Sequence, residues 1–451
     1  MTFLDRAQAN RPWPRVVVLG AGFAGLWAAR TLARFQCSVL ILDRNNYHTF
    51  LPLLYQVAAA ELEPEQIAFP IRGIFRRHPN VDFAMSEVQG FDLTRRLVTT
   101  DTYSYPYDYL VLAAGSMTRF FNVPGAADYA FRLKTLEQGI ALRNHILSCV
   151  ERADQTGDLR LQRQLLTFTV VGGGPTGIEY AGALSELLRR PLARDYPRLD
   201  LGAARIVLVE AQDGLLPGFP DNLRRYALRR LKSKGVEVHT RSQVVTVTRD
   251  RVELQGQEPI LTETVVWTAG VKGQSVVAGT GLPVTPGNRL RVEPTLQLTG
   301  HPEVFAAGDL CSVQQGGREL PMIAPVAIQQ GRAAARNIMR LHRGRPARPF
   351  RYRDKGTMAT LGRNAAVVRL GRRTFTGFPA WVLWLFVHLL YLIGFRNRLI
   401  VLITWAWDYF LVERAVRLIL PKDPPWVRRQ PPPDDTDGAK GKGTRSVPLR
   451  R

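Results

Sequence analysis

Two strand–turn–helix units with the same glycine spacing lie about 150 residues apart, and an apolar, aromatic-rich stretch follows near the C-terminus. These observations predict an α/β fold of two Rossmann-like dinucleotide-binding domains followed by a C-terminal amphipathic helical, membrane-anchoring region. With 451 residues, 45% hydrophobic and 22% charged, the chain has material for two to three ordinary globular domains.

The first unit is RVVVLG (15–20), a helix-like GAGFAGLWAARTLAR, and a second strand, CSVLILD, ending at Asp43. Gly20, Gly22 and Gly25 form GxGxxG between strand and helix. The first glycine permits the tight turn, the second lets the backbone approach a pyrophosphate, and the third lets helix and strand pack closely. The helix N-terminus offers free N–H donors and a partial positive charge to an anion, and Asp43 is placed for ribose hydroxyls. Gly172, Gly174 and Gly177 repeat the pattern in LTFTVVGGGPTGIEYAGALSELLRR, and Glu210 closes the next strand. That acid comes later than usual because PLARDYPRLDLGA lengthens the crossover. It would bond the ribose and repel a 2'-phosphate, and Ala211 and Gln212 add no arginine, so the second unit reads as a site for NADH over NADPH. Two such units imply two nucleotides in one chain.

DYLVLAAG (108–115), ending at Ala114 and Gly115, and TVVWTAG (264–270), ending at Ala269 and Gly270, read as buried strands that stop at small-residue turns. HPEVFAAGDL (301–310) is a third, ending at Gly308 and Asp309. A helix is expected from Gln329, and YRDKGTMATLG and AAVVRLG read as short strands with glycine turns.

The net charge of +23 invites a nucleic-acid reading, but 23 Lys and Arg against 7 Asp and Glu lie from Arg340 onward, leaving +16 there. Those charges frame the most apolar stretch, which fits attraction to an anionic membrane surface and no nucleic-acid partner. Cys37, Cys149 and Cys311 form no close pair, which fits a reducing compartment and small buried hydrophobes. The opening MTFLDRAQANRPWPR has no apolar run of a secretory signal, and no metal-ligand cluster stands out.

A pair of dinucleotide units suits FAD and a nicotinamide, since a nicotinamide can donate hydride to a flavin. Disulfide reductases of this architecture need a close cysteine pair, so the electron exit is a soluble acceptor or a quinone. Segment 379–395 has 17 residues, the bottom of the spanning range, and contains His388 and Gly394. Trp381, Trp384, Tyr391, Trp405, Trp407 and Tyr409, with Arg373, Arg396 and Arg398 at the edges, suit the lipid headgroup level. Thr404, Asp408, Glu413 and Arg417 give the following stretch one polar stripe, so an interfacial pair of helices is expected in preference to a span. An apolar dimer interface or core helix is the alternative. The Pro-, Gly- and charge-rich 421–451 is expected to be a disordered basic tail.

At this point the sequence resembles the type II NADH dehydrogenases, the non-proton-pumping NADH:quinone oxidoreductases. GAGFAG, NNYHTFLPLLYQVA (45–58), VVGGGPTGIEYAGAL, VVWTAGV, VFAAGD, APVAIQQG (324–331), YRDKGTMATLG and WLFVHLLYLIGFRNR carry the likeness across nearly the whole chain. The resemblance implies FAD held by Gly20, Gly22, Gly25 and Asp43, with Asp309 at its ribityl and phosphate, and NADH as substrate with Glu210 at its ribose. It implies a membrane quinone as second substrate, met by Gln329 and Gln330 of an AQxAxQQ-like segment whose first Gln is here Pro325.

Glu179 occupies the family's Gly-Pro-Thr-Gly-x-Glu position and Lys355 a family lysine near the flavin and quinone, both implied as catalytic. On the residues alone, Glu179 is also a first-turn acid that the helix dipole favours, Lys355 a solvated lysine, and His48 a structural histidine. The resemblance further implies a likeness in assembly and place, a homodimer lying peripherally on the cytoplasmic face of a bacterial inner membrane.

The domains are expected at 1–130 (FAD, first part), 131–275 (NADH), 276–345 (FAD, second part) and 346–420 (quinone site and membrane anchor). A soluble NADH-dependent reductase of a protein acceptor such as ferredoxin is the rival reading. A basic nucleic-acid or membrane scaffold with vestigial Rossmann units is the second, which a flavin spectrum would remove.

Overall fold

The computed structural model describes residues 13–277, 281–411 and 416–419; the tail 421–451 and Glu413 lie outside them. β-Branched and leucine-rich runs with no polar alternation form strands buried on both faces, the pattern of parallel sheets covered by helices. Strand β1 (Arg15–Leu19) feeds α1 (Phe23–Leu32) and returns as β2 (Ser38–Asp43). With β3 (Val81–Met85), β4 (Tyr109–Leu112), β5 (Gln297–Leu298) and β6 (His301–Ala306), they make one six-stranded sheet in the order β5-β6-β4-β1-β2-β3. All pairs are parallel except β5 with β6. The chain thus leaves this sheet after residue 112 and re-enters it at 297.

Between those points a second sheet forms from Phe131–Arg132, Thr167–Val171, Arg205–Val209, Val236–His239 and Thr264–Trp267, every neighbouring pair parallel. Helix α2 (Pro175–Leu187) follows its central strand. Glu179 is the fifth residue of α2 and so lies in the second turn, not in the first as expected. The helix after the third strand begins at Ala324 and not at Gln329: α3 spans Ala324–His342. Pro325 stands in its first turn, where the N–H that proline lacks would be unpaired anyway.

The C-terminal region opens with strands Thr357–Thr360 and Ala366–Leu370, and a third, Arg373–Thr376, extends the pair into an antiparallel sheet. Helices α4 (Gly377–Tyr391) and α5 (Phe395–Leu411) follow. Gly394 at φ +87° joins them; a Cβ there would stand 2.5 Å from the Phe69 ring. They have 15 and 17 residues, and no described helix is long and apolar enough to cross a membrane.

The polar stripe of α5 turns toward the protein. Thr404 accepts from Gln66 Nε2 at 3.2 Å, Asp408 lines a cavity, and Arg417 just beyond pairs with Asp195 at 3.1 Å. The aromatic side chains expected at the surface divide accordingly: Trp407 is exposed, whereas Trp384 is fully buried in the core of the second unit.

Candidate active site

The first glycine loop has the geometry that its spacing requires. Gly20 has φ +96°, and a Cβ there would lie 2.4 Å from the Ala113 carbonyl oxygen; a Cβ on Gly25 would lie 1.8 Å from the Gly20 oxygen. Gly22 by contrast faces open space, as does Gly115 at the end of β4. Asp43 closes β2 with its carboxylate accepting from the Ala21 N–H at 2.7 Å and the Asn45 N–H at 2.8 Å. Burial pushes the Asp43 carboxyl up, against the pull of those donors.

Ala114 and Gly115 lead into Ser116, whose hydroxyl donates to Asp309 at 2.6 Å. Lys134 reaches the same carboxylate at 3.9 Å, and burial lowers its ammonium below the usual value while Asp309 opposes. Neither Ser116 nor Lys134 was singled out by the sequence, since nothing local marks them; only the fold brings 116, 134 and 309 together. Gly308, at φ +79°, donates its N–H to the Gln330 side chain at 2.8 Å.

Gln330 is fully buried in α3 with its Nε2 unpartnered. Gln329 instead exchanges both amide bonds with the Arg353 backbone at 3.0 Å, clamping the 343–356 strap to the helix. His48 sits beneath the loop: its Nδ1 is 2.7 Å from the Ala21 oxygen, its Nε2 is buried without a partner, and burial pushes it down to about 4. A neutral ring donating through Nδ1 leaves Nε2 as a bare acceptor. Two orphaned buried nitrogens, two open glycine positions and uncapped helical N–H groups are what a bound dinucleotide would satisfy, so the residues fit FAD.

The second loop repeats the geometry. Gly172 has φ +111° with its would-be Cβ 2.6 Å from Ala269 Cα, Gly177 would meet the Gly172 oxygen at 1.9 Å, and Gly174 is open. Glu210, buried, accepts from the Gly173 N–H at 2.6 Å and the Gln212 N–H at 2.8 Å. Ala269 and Gly270 end their strand against this loop, with the Gly270 oxygen accepting from Arg119 N–H at 3.0 Å.

Glu179 lies on the face of α2 turned to the C-terminal region, where its Oε1 accepts from the Thr360 N–H at 3.2 Å. Burial drives it up to about 8, while that N–H and the nearby Trp384 favour its charged form. The buried Trp384 indole N–H faces this carboxylate from beyond ordinary hydrogen-bond geometry. A cavity of about 90 Å³ adjoins, lined by Tyr55, Glu61, Glu186, Thr360, Trp381, Trp384 and Asp408 among others. Lys355, by contrast, is exposed, with Nζ 3.0 Å from the Tyr391 hydroxyl. Rings run from the first loop to the C-terminal helices: Phe23 against His48 and Phe50, Phe50 against His388, and His388 stacked on Trp384 at 3.9 Å.

Fold and loops together define an oxidoreductase built on two dinucleotide units, and residues 14–331 match the pyridine nucleotide-disulphide oxidoreductase family. The three cysteines are buried, free and pushed up to about 11 or 12 by burial, so disulfide chemistry has no pair to act through. A type II NADH:quinone oxidoreductase of Mycobacterium tuberculosis is 35% identical over 416 residues, 89% of each chain. One from Staphylococcus haemolyticus is 32% identical over 81% of this chain and 92% of its own. The chain belongs to the type II NADH:quinone oxidoreductase family. The NDH2 of Plasmodium falciparum, solved with NADH, shares the fold at TM-score 0.83 and 18% identity, over 90% of this chain and all of that one. A ferredoxin reductase from Rhodopseudomonas palustris shares it at TM-score 0.63 and 19% identity, over 80% of this chain and 83% of its own.

Proposed function

We propose that this chain oxidises NADH and reduces a quinone. Family membership carries the activity. FAD held at the first loop would supply the redox chemistry that links hydride donation by NADH to two-electron reduction of a quinone. Gly20, Gly22, Gly25 and Asp43 hold its ADP half, and Asp309, with Ser116 and Lys134 behind it, faces the ribityl and phosphate. Gly172, Gly174, Gly177 and Glu210 hold NADH, and the small turns at Ala114, Gly115, Ala269 and Gly270 let both ligands approach the strand ends.

Reducing a quinone consumes protons, and Glu179 is the group placed to handle them. A carboxyl kept neutral by burial at neutral pH can donate. Gln330 sets the Gly308–Asp309 turn and offers its free Nε2 as a donor; Gln329 positions the strap that carries Lys355. The chain is read as units at 1–130 with 276–345, 131–275 and 346–420, a reading that the separation of the two parallel sheets supports.

The enzyme docks on a membrane through α4 and α5. Phe378, Val382, Phe386 and Leu390 recur every fourth residue and are all exposed, as are Phe395, Leu399, Leu402, Ile403, Trp407 and Phe410. Ten large apolar side chains facing outward from helices whose Asn397, Thr404 and Asp408 turn toward the protein make an inverted amphipathic surface, which water does not favour and a bilayer interface does. Peripheral attachment at the cytoplasmic face of a bacterial inner membrane and a homodimer complete the reading.

The test is NADH oxidation by purified, flavin-loaded enzyme with and without a short-chain quinone, repeated with NADPH. Quinone-dependent turnover that prefers NADH is expected; flavin reduction that stalls with quinone present would hand the activity to a soluble acceptor.

A further inference from the structure

Helices α1 and α3 pack side by side in the first unit, and their outer face is strongly basic. Trp27 and Arg30 lie on α1, Arg34 just past its end, and Arg332 and Arg336 on α3. One indole holds two guanidinium groups, one from each helix: Arg30 at 4.6 Å and Arg332 at 4.1 Å from the Trp27 ring. Neither helix contains an acid, and among the described residues none of the four arginines has an ion-pair partner. They act on one another instead. Arg30 is lowered from its usual value by burial and then by Arg332, Arg34 and Arg398, and Arg332 by burial, with Tyr391 opposing and Arg336 and Arg34 adding to it. The dipole at a helix C-terminus accounts for Arg30, in the last turn of α1, but not for Arg332, in the middle of α3.

The turn between α4 and α5 brings the apolar face up to this cluster: Ile393 packs against the core of the first unit, and Arg398, which lies between the exposed Phe395 and Leu399 and donates to the Leu390 and Leu392 carbonyls, acts on the charge of Arg30. Guanidinium forks match phosphate oxygens, and those stacked on an indole lose less entropy on binding than free ones. We propose that Arg30, Arg34, Arg332 and Arg336 form a binding site for the phosphate headgroups of anionic phospholipids at the rim of the apolar face. The site rests on the docking reading above and deepens it, because it places the charge recognition on the flavin unit and not on the C-terminal helices.

The flavin-loaded full chain is tested on vesicles of phosphatidylcholine alone and with added phosphatidylglycerol. Phosphatidylglycerol tightens wild-type binding, and Arg30→Gln/Arg34→Gln/Arg332→Gln/Arg336→Gln together remove that gain, at about 5-fold per arginine or about 600-fold for the set. Binding to neutral vesicles stays unchanged. The same four positions as lysine keep only part of the gain, since an ammonium carries the charge without the fork or the indole stack, and a variant with Arg160, Arg163, Arg225 and Arg229 of the second unit changed to Gln keeps it in full.

Persistence of the phosphatidylglycerol gain in the first variant, or an equal loss in the remote one, overturns the site while leaving the apolar docking intact. Displacement of wild type by inorganic phosphate at the headgroup concentration overturns the lipid assignment in favour of free phosphate. Failure of wild type to bind either vesicle overturns the docking reading and this site with it.

Discussion

The two glycine loops are nearly superimposable in design but covered differently. Over the first, α3 of the same unit closes down so tightly that a Cβ on Gly331 would stand 2.1 Å from the Ala24 oxygen, and it delivers Gln330 to the Gly308–Asp309 turn. Over the second, α2 meets the C-terminal sheet, with a Cβ on Gly182 2.9 Å from Leu361, and that sheet delivers the Thr360 N–H to Glu179. The repeated motif makes the nucleotide cradle; the layer laid over each helix decides what chemistry stands beside it. The first helix carries no carboxylate, the second two buried ones, Glu179 beside Thr360 and Glu186 paired with Lys234.

Substitutions that strike one loop and spare the other test that comparison most severely. Gly25→Val drives a side chain into the Gly20 carbonyl and is expected to yield protein without flavin, read from the visible spectrum. Gly177→Val is expected to leave the flavin bound and weaken NADH by 100-fold or so, in line with the roughly 1–3 kcal/mol or more of an overpacked backbone contact. Loss of flavin in both would dissolve the distinction.

Glu179→Gln keeps shape and removes the titration. Quinone reduction, followed by stopped flow, is expected to slow by about 100-fold while flavin reduction by NADH changes little. In the wild type the quinone step should fall as pH rises through about 8, where the carboxyl loses its proton, and the inflection should vanish in the variant. Stability follows the same sign. The raised carboxyl favours folding at low pH and progressively less as pH climbs from its ordinary value of 4.5 to about 8, so Glu179→Gln should melt higher than wild type at pH 9. A wild-type pH profile retained by the variant would remove Glu179 from proton handling.

Charge on the apolar face acts on neither loop. Phe386→Asp or Phe395→Asp should weaken vesicle binding by about 10- to 100-fold, the order expected from the roughly 1.5–3 kcal/mol of one buried phenylalanine, and leave turnover with a water-soluble quinone intact. Glu210→Gln should improve NADPH over NADH by about tenfold, measured as the ratio of kcat/KM, by removing a like charge beside the 2'-phosphate. The smallest effect belongs to Asp195→Asn: the half-exposed pair with Arg417 contributes about 1 kcal/mol at most, a melting shift of a few degrees or less.

What was legible in the sequence was whatever depends on neighbours along the chain. GxGxxG between strand and helix fixes its own turn, because a Cβ at Gly20 or Gly25 collides with backbone less than ten residues away or with the adjoining strand. The acid ending the second strand, Asp43 or Glu210, folds back onto that turn for the same reason. The expectation of a helix from Gln329 starts it five residues late, because a proline in the first turn costs no hydrogen bond and Ile323 caps the helix just ahead of Ala324 and Pro325.

The remainder was decided by tertiary structure. The sequence by itself determined two dinucleotide cradles, the strands that open and close each of them and an apolar aromatic C-terminus. It did not determine that Ser116, Lys134 and Asp309 meet, that Gln329 holds a strap while Gln330 holds a turn, or that Trp384 is core and Trp407 surface. Nor did it show that the polar stripe of α5 faces inward. Polarity along a helix specifies only that two faces differ; which one meets protein is settled by partners such as Gln66, 338 residues away from Thr404 in the chain. Burial, which raises Glu179 into the range where it can donate a proton, likewise exists only once the C-terminal sheet and Trp384 have closed over it.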